Sequence, residues 1–452
     1  MIPVQGPKLK ILDKNACETI VAAVLKVLWD TGVRIEDETT RRDLLSLGCV
    51  LKENGFLRLK PDLVNRAAAS VPNRMALFDR NGSMAVDTSG PAPCFGMGLG
   101  CVDILDHRTG AHRPFSVNDV REAARLCEGL ANIDLATGLG NAHDLAPEDE
   151  ALATVRTVAE NTAKPIAFTG HDEHETEAIW SFLADLAGGW PALADRPPAL
   201  ELTGPTSPMT LKSESTRRLV FAARQHLPVV CYPGLFPGAT GPITLAGALV
   251  QSTAEILAGI VVHQTASPGA PVISGSSILP MDMRTATIAY GAPEYSLACL
   301  AAADLFAELG IPSWVGAGCT DAHTLDVQAA AEASAGMAQA VYSQSAFIHN
   351  LGFLSSGKTG SFEMLVLCDE LAGMLKKAAA GVRVDEDTLA AEVIARSTPT
   401  MGFLKDPHTK AHVRQEMWIP SFFCRYAFGE WDALGSKTAL TNIREKLDDI
   451  LG

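Results

Sequence analysis

The sequence predicts an α/β protein: a (β/α)8 TIM barrel with an N-terminal helical and hairpin extension and a C-terminal helical segment. Three observations carry this. From about Ile133 onward, short apolar runs alternate with long helical stretches, the βαβα pattern of a parallel sheet. The runs recur roughly every 30 to 45 residues, one βα unit each with insertions. Unusual residues gather where runs end, at Gly204-Pro205-Thr206-Ser207, Pro233-Gly234, Gly275-Ser276-Ser277, Gly316-Ala317-Gly318-Cys319 and His349-Asn350. In a barrel these ends converge on one mouth. A doubly wound open sheet fits the same strand count and is the competing fold.

Residues 1–90 read as a lead-in that packs on the barrel. A helix around Glu18 to Thr31 leads to Gly32-Val33-Arg34-Ile35, a second helix follows near Glu38 to Leu47, and short strands lie around Val50 to Leu59. Residues 91–400 form the barrel core. Its candidate strands are Pro93 to Val102, Ile133 to Thr137, Pro165 to Phe168, Ala199 to Thr203, Val229 to Tyr232, Val272 to Ser274, Ser313 to Val315 and Ala346 to Asn350. Helices at Leu245 to Val262, Tyr295 to Leu309 and Val327 to Ser343 are rich in Ala and Leu, with apolar residues at helical spacing. Residues 401–452, with Trp418, Pro420 and Phe428-Gly429-Glu430-Trp431, form a closing segment that ends on an amphipathic helix from about Thr438 to Leu451.

The 452 residues are 47% hydrophobic, enough for one large barrel with additions or for two ordinary domains. The formal charge of −15 argues against a nucleic acid or an anionic membrane surface as main partner and favours a small neutral or cationic ligand. No leader is read at the amino end, and no stretch is read as approaching the roughly 20 apolar residues of a membrane span, so a cytoplasmic protein is expected. Ten cysteines without C-x-x-C spacing predict reduced thiols, mostly core filler, and no structural zinc knuckle.

The stretch Gly316-Ala317-Gly318-Cys319-Thr320-Asp321-Ala322-His323-Thr324-Leu325-Asp326-Val327-Gln328-Ala329, followed by Glu332, resembles the trimethylamine:corrinoid methyltransferase family. There a small-residue strand end runs through S/T-D-A to D-x-Q-A and a glutamate. Phe95-Gly96, Asn161 to Lys164, Pro205 to Pro208, Leu245-Ala246-Gly247 with Ala254-Glu255, Gly275-Ser276-Ser277, Gly291 to Glu294 and Gly435-Ser436-Lys437 keep the family's order. The resemblance covers nearly the whole chain and rests on the joint order of the blocks, since no single one is diagnostic. Two positions depart from the archaeal trimethylamine enzymes. Cys319 stands where they carry pyrrolysine, and Ser355 stands where a glutamate follows Gly352-Phe353-Leu354.

The resemblance implies a methyltransferase that moves a methyl group from a small quaternary amine to Co(I) of a corrinoid. With the electrophilic ring of pyrrolysine missing, glycine betaine or a related betaine is the expected donor, as in family members without that residue. The corrinoid (cobalamin) is expected on a separate small corrinoid-binding protein, with no tightly bound cofactor in this chain. The motif D-x-H-x-x-G is absent: Asp321-Ala322-His323 opens it, but Asp326 stands where its glycine belongs. Large relatives commonly self-associate, so a homo-oligomer is expected.

Such a transfer is an in-line displacement whose leaving group departs as a neutral tertiary amine, so it needs positioning and no general acid or base. Rings at or beyond strand ends are the candidate cage for the cation: Phe95, Tyr232, Phe236, Trp314, Phe347 and, most favoured, Phe353. Core packing is the competing role for each. For a betaine carboxylate, His349 is the expected donor, since the glycine betaine relatives carry histidine in a similar I-H-x-x-G context, and Asn350 assists. Glu255 and Glu294 lie in apolar stretches, where a buried carboxylate needs a paired donor or a ligand cation. Cys319, Asp321, Gln328 and Glu332 form the pocket at the pyrrolysine-equivalent position. Cys319 is read as a space-filling residue there, and helix capping is the alternative use of the acidic set.

Other chemistries are weaker. His408 and His412 have H-x-x-x-H spacing, but Thr409 stands where a zinc protease carries its glutamate, and His171 with His174 lies in an acidic stretch; both read as solvated, so no metal site is expected. Gly96-Met97-Gly98-Leu99-Gly100 lacks the Lys-Ser/Thr of a phosphate loop. The alternatives carried forward are a methyltransferase with a folate or thiol acceptor, and a non-catalytic betaine-binding barrel.

Overall fold

The computed structural model describes residues 6–90, 93–276, 278–397 and 402–452. Ser277 and the boundaries expected at 91 and at 400–401 lie outside the described residues. Seven parallel strands pair in the order Cys94–Met97, Phe347–Leu351, Ser313–Gly316, Val272–Gly275, Val229–Cys231, Ala199–Thr203 and Ile166–Phe168. Leu135 and Ala136 take the eighth position, bridging in parallel to Gly96 on one side and Ile166 on the other. The sheet therefore closes into the expected barrel, and the open-sheet alternative is set aside.

Each strand contributes one residue to an interior cluster: Cys94, Leu135, Ala167, Leu200, Val230, Ile273, Trp314 and Phe347. Strand alternation puts the residues two further along, Gly96, Thr137, Thr169, Leu202, Tyr232, Gly275, Gly316 and His349, in the next layer toward the mouth. Three of these eight positions are glycine, so this layer cannot fill itself. The opposite end of the barrel is plugged by the hairpin Ala76–Phe78 with Met84–Asp87, whose Leu77 and Val86 join the interior cluster.

The lead-in helix Lys14–Asp30 buries Cys17, Ile20, Val24 and Leu28, a single face at helical spacing, against the helix Leu245–Ala266. The latter corrects a sequence expectation. Its 22 residues are long and apolar enough to cross a membrane by length and composition, yet it lies among the barrel helices with most of that length buried. Apolar on all sides, it is a core helix. At the other end, Ala439–Leu451 buries Ile443, Leu447 and Leu451 and packs on Val117–Gly129 and Phe362–Ala379. Arg444 to Glu363 at 2.6 Å and Lys446 to Asp369 at 3.3 Å secure it.

Candidate functional site

The last barrel strand ends in an irregular register between Ile348 and Leu351, and Asn350 takes a left-handed φ of 77° there. Asparagine tolerates this conformation better than most residues. Strand irregularities of this kind re-aim side chains beside active sites. Asn350 Nδ2 donates to Tyr295 Oη at 3.4 Å. His349 sits inside the barrel, its ring 4.6 Å from that of Trp314 and 6.3 Å from that of Tyr232. Burial pushes the His349 imidazole down to about 3, so the ring is neutral, with one donor and one acceptor nitrogen.

A second ring pair stands beside this one. Tyr290 and Tyr295 meet edge to face at 5.0 Å. Two glycines make the approach possible: a Cβ at Gly316 would collide with Tyr295 Oη, and one at Gly98 would collide with the Phe353 ring. The glycine-rich stretch from Gly96 thus serves close packing of rings.

Over His349 lies a cavity of about 280 Å³ lined by Leu99, Thr169, Leu202, Thr203, Gly204, Tyr232, His349 and Asn350. Its lining carries no charged side chain. Thr169 is exposed, and Asn350 and His349 are buried. Thr203 Oγ1 is buried with no protein partner, and Trp314 Nε1 shares that condition. An unpaired buried hydroxyl costs roughly 1–3 kcal/mol, which a ligand bonding to it offsets.

The polar set Asp321, Gln328 and Glu332 ties three mouth loops together. Asp321 accepts from the backbone N–H groups of Tyr290 (2.8 Å) and Gly291 (3.0 Å) and from Ser356 Oγ (3.0 Å). Glu332 accepts from Thr320 Oγ1, from the Asp321 backbone N–H at 2.9 Å and from Gln328 Nε2 at 2.8 Å. Asp326 caps the helix Val327–Tyr342 by accepting from the Ala329 N–H. Cys319 is buried, and burial, with Cys299 and Asp321 nearby, pushes its thiol well up. The buried thiol therefore stays protonated at neutral pH.

Several expected site residues lie elsewhere. Phe95 points out of the barrel, packed in the helix-facing core with Lys376 Nζ 5.4 Å from its ring centroid, because its neighbours Cys94 and Gly96 take the inward positions. Phe347 lies one layer below the cavity, 5.2 Å from Trp314, and serves as floor. Phe236 anchors a turn, its carbonyl accepting from Ala239 and Thr240. Glu255 is fully buried and satisfied by Ser207 Oγ (2.6 Å), the Met209 N–H (2.7 Å) and Gln251 Nε2 (2.9 Å), so it holds the loop after Ala199–Thr203 in place. Glu294 is exposed in the first turn of Pro293–Glu308. His171 pairs with Glu175 at 2.8 Å on the surface.

Sequence reasoning passed over Tyr290, Tyr295 and Thr203. One available signal was a tyrosine in the first turn of an otherwise Ala- and Leu-rich barrel helix, since barrel helices begin after the mouth loops.

A closed eight-stranded barrel with a cavity free of charged side chains at the carboxyl ends of its strands defines the class: a TIM barrel. The chain belongs to the family described as Trimethylamine methyltransferase (MTTB), whose profile matches residues 2–452, and the protein is a methyltransferase. It is 30% identical to the trimethylamine methyltransferase MttB of Methanosarcina barkeri (strain Fusaro) over 99% of this chain and 91% of that protein. It is 28% identical to the glycine betaine methyltransferase of Desulfitobacterium hafniense (strain Y51) over 94% and 89%. The crystal structure of the M. barkeri monomethylamine methyltransferase superposes with a TM-score of 0.54 at 12% identity, covering 98% of this chain and 88% of that one, a likeness of fold.

Proposed function

We propose that this enzyme takes a methyl group from a small betaine, with glycine betaine as the reference donor, and delivers it to Co(I) of a corrinoid carried by a separate small protein. One observation carries the reading: the cavity has aromatic and neutral polar walls and no charged side chain. A quaternary cation entering it would lose its water and meet no carboxylate, at high cost. A betaine brings its own counter-charge, so the net-neutral zwitterion suits the cavity better than a simple tetraalkylammonium. The Tyr232 face, with Trp314, Tyr290 and Phe353 nearby, attracts the methylammonium end by about 0.5–2 kcal/mol per ring. Neutral His349, Asn350 and the unpaired Thr203 hydroxyl supply donors to the carboxylate.

With the carboxylate held inside, one methyl faces the mouth, and the corrinoid protein docks on the rim. The carbon–nitrogen bond breaks as the carbon–cobalt bond forms, and the nitrogen keeps the electron pair as a neutral tertiary amine. No proton moves, so the residues contribute position and exclusion of water.

The test follows the absorbance of reduced cob(I)alamin, without oxygen, as the protein is offered glycine betaine, proline betaine, carnitine, γ-butyrobetaine, choline, tetramethylammonium, trimethylamine and a sulfonium in turn. Loss of the Co(I) spectrum with a betaine, slowed roughly 10- to 100-fold by His349→Ala for want of one charged hydrogen bond, supports the proposal. Turnover of tetramethylammonium in preference to every betaine would overturn the zwitterion argument. Calorimetric binding of a betaine with unchanged Co(I) would move the search to a folate or thiol acceptor.

A further inference from the structure

His408 and His412 lie four residues apart on one face of the helix Pro407–Glu416, with ring centroids 4.3 Å apart. The fold brings a third group to them. The short helix Glu386–Leu389 places the Asp387 carboxylate 3.3 Å from His412 Nε2, and the Asp387 carbonyl lies 3.1 Å from His408 Nε2. One ligand atom from each residue falls within 4.8 Å of the other two. Among the described residues no other three His, Cys, Asp or Glu side chains converge in this way. We infer that Asp387, His408 and His412 form a binding site for a borderline first-row dication of the Zn²⁺ class, remote from the methyl-transfer cavity.

The donor chemistry fits. Two imidazoles and a carboxylate are ordinary Zn²⁺ ligands, bound at about 2.0–2.2 Å, which leaves ligand atoms about 3.3 Å apart in a tetrahedron. The three donor atoms start within 4.8 Å of one another, and an ion would draw them to that spacing. The Asp387 side chain is 62% exposed and that of His412 15%, so the ion has a route in, and one ligand is already held. Arg383 Nη2 contacts Asp387 at 3.2 Å, but Arg383 Nε is also held by Asp385 at 2.8 Å, so the guanidinium keeps a partner when a metal takes Asp387.

The location explains what such an ion does. The helices Glu386–Leu389, Ala391–Arg396 and Pro407–Glu416 contain no buried residue, so no apolar core ties them together. Metal bonds from Asp387 to His408, 21 positions away, and to His412 supply the cross-link that packing does not.

The test titrates untagged, chelator-stripped full-length protein with Co²⁺ and then Zn²⁺, reading the ligand-field absorption of Co²⁺ and binding by calorimetry. One Co²⁺ per chain, displaced by Zn²⁺, is expected, with affinity reduced at least tenfold in each of Asp387→Asn, His408→Ala and His412→Ala and unchanged in His171→Ala. Because all three ligands sit on helices without buried residues, circular dichroism and Tm of the metal-free variants should match those of the parent. Failure to bind a stoichiometric ion, or affinity that survives all three substitutions, overturns the site.

Discussion

The imidazole of His349 lies against the indole of Trp314, with centroids 4.6 Å apart and planes tilted by 33°. The two side chains belong to neighbouring strands and successive layers, and the register partner of His349 is Gly316. A Cβ at Gly316 would meet Tyr295 Oη and Asn350 Nδ2, so the glycine leaves room for those two groups beside the imidazole, which burial keeps neutral.

That burial makes the fold acid-sensitive. His349 and His263 are both pushed down to about 3 by burial. In the unfolded chain each takes its proton near about 6.5, so below that pH the unfolded state binds more protons and stability falls, by up to about 1.4 kcal/mol per pH unit for each histidine. The stability is fully present above about pH 6.5 and drains as the pH drops toward 3. Calorimetry should show Tm declining from pH 6 to pH 5, with a smaller decline in His263→Gln. A Tm flat across that range would contradict the burial of both rings.

Gly316→Ala should lower stability by about 1–3 kcal/mol, the usual range for forcing atoms into a packed core. The new methyl would meet Tyr295 Oη and come within 2.8 Å of Asn350 Nδ2. Adding Tyr295→Phe removes the hydroxyl and should recover part of the loss in a urea midpoint. No recovery in the double variant would place the clash elsewhere.

Asp321→Ala strips the acceptor from two backbone N–H groups and a hydroxyl at once. The loop carrying Tyr290 then loses its anchor, and the KM for the donor should rise about tenfold while kcat changes less, with destabilisation of about 1–3 kcal/mol. An unchanged KM would separate Tyr290 from donor binding.

Of the ten thiols, nine are buried and Cys424 is exposed. Iodoacetamide at neutral pH should therefore modify native protein at Cys424, with Cys319 reacting only after unfolding. Peptide mapping that found Cys319 alkylated in the native state would contradict its burial.

Much of the barrel is legible in the sequence, because short apolar runs bounded by Gly, Pro and Ser leave few other folds open. Val229, Val272 and Ser313 begin their strands as read. Of the candidates that strand ends single out, His349, Asn350 and Tyr232 line one cavity. Glu255 shows where that reasoning stops. A carboxylate in an apolar run signals a buried partner; beside Gln251 on its own helix, two of the partners here are Ser207 and Met209, nearly fifty residues away, which no local pattern connects to it.

What the sequence by itself determined is the alternation of strand and helix, the mouth ends of most strands to within a residue, and membership of the family through the ordered blocks around Cys319; the strand expected at Pro93 to Val102 ends at Met97. Tertiary structure decided which of two adjacent residues faces inward, as with Phe95 and Gly96, because a strand buried on both faces is apolar on both and its alternation carries no sign. It also decided which loops meet. Tyr290 reaches Tyr295 and Asp321, and Asp387 reaches His412, through barrel closure and helix packing, contacts between distant segments whose energy depends on the whole chain having folded.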